Sequence, residues 1–246
     1  MKEHLSAQED HEIGLETLEL FAHTDHFNRW LFGELAPYCK GHILEIGSGI
    51  GNISSLILER FDKVSLSDLR DDYCEMLRKR FDRNGNLEKI YTLDLAEKEI
   101  GKIFPELLNS FDTILTSNVI EHIKDDRLAI RNCHKLLKPG GRLIVLVPAH
   151  HLLYNSFDAM LGHYRRYTRN TLTGLMQNEG FSIAHTRYFN AIGVAGWWFS
   201  GTILRKKILP ENQLALYEKL IPLIRLADTL TMHRLGLSVI AVGEKK

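Results

Sequence analysis

A doubly wound, mostly parallel α/β sheet is the fold this sequence predicts, and three observations carry that expectation. Short β-biased runs alternate with stretches of helical periodicity along most of the chain. One run, Leu143 to Val147, is continuously apolar, as a strand covered on both faces must be. A glycine cluster, Gly47, Gly49 and Gly51, stands between the first β-biased run and the first helix of the alternation, where such a sheet turns tightly.

In chain order, Leu18, Phe21, Phe27, Trp30, Leu31 and Leu35 fall at helical spacings with a polar break from His23 to His26, which predicts two helices ahead of the sheet. His42 to Ile46 follows as the first strand, and Ile53, Leu56, Ile57 and Phe61 share one face of a helix over about 52–61. Lys63 to Ser67 reads as a strand, and Asp71 to Phe81 as a helix with Asp71 and Asp72 at its positive end. Ile90 to Leu93 and Phe111 to Ser117 are the third and fourth strands. Arg127 to Lys138 carries Ala129, Cys133, Leu136 and Leu137 at helical spacing and stops at Pro139-Gly140-Gly141, before the apolar fifth strand. Beyond it, Asn170 to Glu179 is helical, Phe181 to Tyr188 a strand, Ala191 to Leu226 mostly helical and Leu237 to Gly243 a final strand.

The 246 residues contain no repeat or low-complexity linker, so one domain is expected: a helical cap over 1–40, a core over 41–148, a loop and helical lid over 149–235, and a last strand over 236–246. Apolar residues make up 44% and charged residues 25%, which excludes the composition of disordered chains. Basic and acidic residues balance at 31 each, so no net positive field favours nucleic acid. Cys39, Cys74 and Cys133 lack metal or redox spacing and read as free thiols, and Met1 to Asp10 has no apolar leader, so a cytoplasmic location is expected. The least polar run, Ala191 to Leu204, falls short of the roughly 17–25 residues that span a bilayer.

The glycines are spaced G-x-G-x-G, with Asn52 where a dinucleotide fingerprint requires its third glycine. Glycine suits the bend through its backbone angles and through the clearance it leaves for a cofactor lying against the chain; the alternative is a turn shaped by packing alone. Asp68 closes the second strand, placed to accept hydrogen bonds from ribose hydroxyls, or to serve as a plain turn residue. With Glu45 ahead of the glycines, the segment resembles motif I of the class I S-adenosylmethionine-dependent methyltransferases. Asp94-Leu95 resembles that family's adenine-contacting motif, against the alternative of Asp94 as a helix N-cap. "SNVIEHI" (117–123) and "LLKPGGRLIVLVP" resemble the corresponding segments after the fourth strand and along the fifth. The resemblance spans roughly Gly41 to Pro148. It implies a Rossmann-like sheet of seven strands with the last antiparallel, S-adenosyl-L-methionine as cofactor, and cofactor contacts from Glu45, Gly47, Ser48, Gly49, Gly51, Asn52, Asp68, Leu69, Asp94, Leu95 and Asn118. Asn28 and Trp30 resemble part of the family's amino-terminal cap over the methyl end.

The resemblance implies that residues after the fourth strand lie beside the transferred methyl, which points to Glu121 and His122. His122 is the candidate general base, because imidazole titrates nearest neutrality; the alternative is an anchor for its loop. "SNVIEHI" is also similar to the ubiquinone-biosynthesis O-methyltransferases, where an acidic pair and a histidine are implicated in metal binding. Asn118 replaces the first acid here, so no metal is expected to be required, with a weakly bound Mg²⁺ as the alternative. In the segment 154–168, His163, Tyr164, Arg165, Arg166 and Tyr167 offer forked donors and aromatic faces to an anionic or glycosidic acceptor, or form a solvated loop. "GHYRRYT" is similar to bacterial methyltransferases associated with cell-surface glycans. Trp197, Trp198 and Phe199 precede Arg205, Lys206 and Lys207, so the helix over 189–207 is expected to be a buried lid or a membrane-surface helix. The expected partner is a small-molecule or lipid-linked acceptor, O-methylation preferred, with C- or N-methylation or a non-catalytic cofactor-binding subunit as alternatives.

Overall fold

The computed structural model describes residues 14–204 and 211–246, with the backbone alone for 211–213. Residues 1–13 of the expected cap and the triplet Arg205, Lys206 and Lys207 lie outside the described residues. Two helices, α1 (14–22) and α2 (Asp25–Leu35), precede the sheet, as the periodicity predicts. Then come β1 (Ile43–Ile46), α3 (Ser54–Arg60), β2 (Val64–Asp68), α4 (Asp71–Phe81), β3 (Leu87–Thr92), α5 (Ile100–Ile103) and β4 (Phe111–Ser117). The second half contains α6 (Asp126–Leu136), β5 (Leu137–Pro148), α7 (Ser156–Met160), α8 (Arg169–Asn178), β6 (Phe181–Phe189), α9 (Ala191–Trp198), α10 (Glu211–Leu230) and β7 (Ser238–Lys245).

The seven strands lie in the order β3-β2-β1-β4-β5-β7-β6. β1 to β5 pair in parallel, while β7 runs antiparallel to both β5 and β6. Every residue of β1 and β2 is buried, as in strands covered on both faces, and Glu45, Ser65 and Ser67 are enclosed along with their apolar neighbours. The pleat sends Leu44 and Ile46 into one apolar layer with Ile114 and Val145, and Ile43 into the other with Leu115 and Ile144. β1 lies between β2 and β4, so the order reverses there, and ligands of such sheets bind outside the carboxyl ends of strands at that reversal.

Among the boundaries that differ from the sequence reading, β3 begins at Leu87 rather than Ile90, and the start of β5 moves furthest. β5 starts at Leu137, because Pro139-Gly140-Gly141 forms an irregularity within the strand rather than a loop before it. The register to β4 shifts between Phe111↔Leu137 and Thr113↔Arg142, and Gly140 takes up the left-handed backbone at φ 74°. The mostly helical stretch expected over 191–226 contains α9, a wider turn of π type over Phe199–Ile203, and most of α10.

α10 is fastened inward by two of its acids. Glu218 accepts the backbone N–H groups of His26 and Phe27 at the start of α2. Asp228, fully enclosed, accepts those of Asn190 at 2.7 Å and Ala191 at 2.6 Å, where β6 hands over to α9. Asp228→Ala removes the acceptor of two buried amides and is expected to cost about 2–4 kcal/mol; a lower urea midpoint at unchanged slope measures it.

Candidate active site

The site is assembled where the strands release the chain. Gly47, Gly49 and Gly51 all sit at positive φ (75°, 53° and 90°) directly after β1. The N–H groups of Gly47 and Ser48 donate to the Ser67 carbonyl at 2.8 and 2.9 Å, stitching the bend to the end of β2. A Cβ on Gly47 would collide with Val119, and one on Gly51 would approach Phe81 to 2.7 Å. The clearance expected for a cofactor is thus filled at these positions by the protein's own side chains, and close packing joins backbone angle as the reason for glycine.

Asp68, nearly buried, accepts the N–H of Gly49 at 2.8 Å through Oδ2 and that of Arg70 at 3.1 Å through Oδ1. Burial raises its pKa against the pull of those amides. It therefore braces the glycine bend and leaves one further lone pair per oxygen for a ligand. Glu45 points beneath the bend to the Ser54 hydroxyl, and burial pushes its carboxyl up to about 7. Leu69 and Asp94 are exposed beside this edge, Asp94 accepting the Ala96 N–H in a tight local turn.

Several expected cofactor contacts are placed otherwise. Leu95 is buried in the apolar layer with Ile100 and Leu107, because the chain turns inward directly after Asp94. Trp30 packs into the opposite layer against Phe189, with ring centroids 4.2 Å apart. Asn28 donates to the Phe21 carbonyl at 2.8 Å and so closes the end of α1. Asn52 donates to the Leu18 carbonyl at 2.8 Å, tying α1 across the glycine bend, where Leu18 lies over Gly49. The asparagines are internal fasteners, which their polarity alone does not distinguish from ligand contacts.

Asn118, His150 and Asn190 are non-glycine residues at positive φ (54°, 62° and 69°), and they follow β4, β5 and β6. Such left-handed residues cluster where a chain is bent sharply at a functional edge. After Asn118 a single turn, Ile120–His122, presents Glu121 and His122. Glu121 is completely buried and neither carboxylate oxygen has a hydrogen-bond partner among the described residues. Burial, reinforced by the nearby Asp158, pushes its pKa up to about 8, so the carboxyl is mostly protonated at neutral pH. His122 keeps contact with solvent although protein surrounds much of its ring. That crowding, and then the charge of His163, hold its pKa well below the ordinary imidazole value.

His163 arrives from the segment after β5, its ring centroid 4.6 Å from that of His122 and edge-on to it. The Tyr164 N–H donates to the Glu121 carbonyl at 2.8 Å, which holds the two segments side by side. Nδ1 of His163 is 2.8 Å from Oδ1 of Asp158, leaving Nε2 turned to the remainder of the site. Glu121, His122 and His163 each offer a donor atom within 4.8 Å of the others, the one such group of metal-ligand type found among the described residues. Sequence spacing did not reveal this triad, since His163 enters it through tertiary folding alone.

The other expected acceptor contacts divide. Arg166 is buried, donating to Asp158 at 2.8 Å and to the Ala149 carbonyl at 3.0 Å, with Trp197 stacked on its guanidinium 4.8 Å away. Tyr167 is buried with its hydroxyl on Asp126 at 2.9 Å, and Arg165 donates to the carbonyls of Ile123 and Lys124. These three form the frame that carries His163, and only Tyr164 of this group is open to solvent. Asp158, the anion at the centre of that frame, is held below the carboxylate range because hydrogen bonds from His163 and Arg166 outweigh its burial. The sequence places Asp158 in the same segment as His163 and Arg166, and the structure makes it their shared buried acceptor.

Residues 44–143 match the family described as methyltransferase domain. A stretch of 149 residues is 30% identical to a highly reducing polyketide synthase of Aspergillus aculeatus, covering 56% of this chain and 6% of that protein. The chain thus spans a small fraction of such relatives. Among solved structures, phosphoethanolamine N-methyltransferase 2 of Haemonchus contortus in complex with S-adenosyl-L-methionine superposes with a TM-score of 0.56 at 19% identity, over 89% of this chain and 52% of that one. The CurJ carbon methyltransferase superposes with a TM-score of 0.56 at 15% identity, over 87% and 50%.

Glu121→Gln keeps the shape and removes the titration. A carboxyl whose folded pKa is raised favours the fold below its unfolded value and loses that stability as pH rises towards about 8. Wild-type stability is therefore expected to fall across that window and that of Glu121→Gln to fall less, read from urea midpoints against pH. Residues 44–143 thus match the methyltransferase domain family, and the seven-stranded sheet shares its fold with solved S-adenosyl-L-methionine-dependent methyltransferases.

Proposed function

We propose that the protein is an S-adenosyl-L-methionine-dependent methyltransferase acting on a small-molecule or lipid-linked acceptor, with oxygen as the preferred atom. The observation that carries this reading is the convergence, at the carboxyl edge of one sheet, of the left-handed glycine bend, Asp68 and the Glu121–His122–His163 cluster. The residues present fit the cofactor: Asp68 keeps acceptor capacity for sugar hydroxyls, Leu69 is exposed for an apolar contact, and Asp94 stands open at the end of β3. Bound there, the cofactor supplies an electrophilic methyl group.

The chain's own part is orientation and proton transfer. His122 is neutral near pH 7 because its pKa is lowered, so its ring has a lone pair ready for the hydroxyl proton of an acceptor. His163, oriented by Asp158, fixes the neighbouring ring edge-on. Glu121, protonated beside it, adds no negative charge that would raise the His122 pKa. Methylation of carbon or nitrogen in an isoprenoid or natural-product acceptor uses the same positioning, and the proton lost from that atom goes to the same base.

A second reading is favoured by the orphaned Glu121 oxygens and the donor atoms gathered with them: a divalent cation held by Glu121, His122 and His163. The Asp158 contact leaves Nε2 of His163 as its ligand atom, in the carboxylate–histidine arrangement common at metal sites.

Calorimetric titration with S-adenosyl-L-methionine is expected to show binding that weakens by at least about tenfold in Asp68→Ala; absence of binding by the wild type ends the proposal. His122→Ala is expected to lower turnover by roughly 10²–10⁴-fold at little cost in cofactor affinity. Turnover on a hydroxyl acceptor should persist to pH values below the ordinary imidazole value of about 6.5, because His122 stays neutral there. Chelation separates the readings: turnover that vanishes and returns with added Mg²⁺ or Zn²⁺ assigns the cluster to a cation.

A further inference from the structure

The outer face of the lid belongs to neither the sheet nor the cofactor edge. On α10, Leu216, Leu223, Leu226 and Leu230 are 59, 61, 54 and 74% exposed, and with Leu220 they form an apolar stripe along the helix. α9 and the π turn, packed beside α10, add Trp198, Phe199 and Ile203, each about half exposed. Contiguous apolar surface of this kind marks an interaction site rather than ordinary solvent-facing surface.

Charge identifies the partner. Both described acids between 191 and 236, Glu218 and Asp228, are turned inward onto backbone N–H groups. The exposed charges described in that stretch, Lys219, Arg225 and Arg234, are all cationic, and in the sequence leading into α10 the three cations Arg205, Lys206 and Lys207 outnumber the one acid Glu211. Apolar side chains flanked by an excess of cations complement an anionic bilayer, where the former enter the headgroup boundary and the latter meet phosphates. A second copy of the same face would set like charges against each other. No helix among the described residues is long and apolar enough to cross a membrane, so the face lies on the bilayer.

We infer that α9 and α10 seat the protein on an anionic phospholipid surface. The inner side of the same lid is tied to the candidate site: the Ser156 hydroxyl donates to the Gly201 carbonyl at 3.0 Å, and Trp197 stacks on Phe157 and Arg166. Docking therefore places the bilayer on one side of a lid whose other side touches the frame of His163.

Co-sedimentation of the full chain with vesicles tests this without using turnover, so its result is independent of the methyl-transfer reading. Binding is expected to phosphatidylglycerol mixed into phosphatidylcholine, to weaken as salt is raised, and to be feeble on phosphatidylcholine alone. Leu223→Glu with Leu226→Glu, and separately Lys219→Glu with Arg225→Glu, should each lower partitioning by about tenfold or more. The charge-reversal pair lies wholly on the surface and serves if the leucine pair fails to fold. Absence of partitioning, or partitioning that survives the charge reversal, overturns the inference. So does a wild-type dimer by light scattering that the leucine pair dissociates, since the face then belongs to a second copy.

Discussion

Parallel strands must all release their chains at the same edge, and here each release near the site is bent hard. Gly47 after β1, Asn118 after β4, His150 after β5 and Asn190 after β6 all occupy the left-handed backbone region. A bend of that kind costs conformational energy unless the surroundings over-determine it. The surroundings do so: the Ser67 carbonyl holds the first bend, the Leu146 carbonyl accepts the Asn118 N–H at 2.9 Å, and Asp228 takes the Asn190 N–H. The candidate site exists because these bends turn short polar segments upward together, instead of letting each strand pass directly into a helix.

On the acceptor side, a single anion organises what the bends deliver. Asp158 is enclosed, yet it is met by His163, Arg166 and the backbone N–H of Asn155, so its charge is satisfied rather than stranded. Through Arg166 it reaches the end of β5 and the Trp197 ring of the lid. Glu121, a few residues away in space, is the opposite case: enclosed, unpartnered and mostly protonated at neutral pH. Two carboxyl groups in one neighbourhood thus hold different protonation states, and their environments set the difference.

Much of the fold was legible from local pattern. Asp71–Phe81 and Phe111–Ser117 have the boundaries their periodicity implies, because both segments are bounded by turn chemistry and buried in ways sequence period reports. The start of β5 was not legible, since a proline followed by two glycines reads as a loop, whereas this sheet absorbs them as an irregularity. In the site, the glycines, Asp68 and the Glu121-His122 pair stand at strand ends that the pattern locates. Arg166 and Tyr167 look like ligand-binding residues in sequence and are framework in space, because burial with a partner is a tertiary property that residue type does not reveal. His163 was recognisable as chemically useful, but its apposition to His122 depends on a loop crossing back over β4, which no spacing encodes.

The glycine bend and the histidine cluster are mechanically linked through one valine. Gly47 rests against Val119, and Val119 is the chain neighbour of the turn that carries Glu121 and His122. Any atom added at Gly47 must shove that valine, and the displacement propagates along two peptide units into the reacting groups before a cofactor is encountered. Substitutions at this bend would therefore impair affinity and rate together, and a loss of rate there says nothing about which of the two sites the altered residue serves.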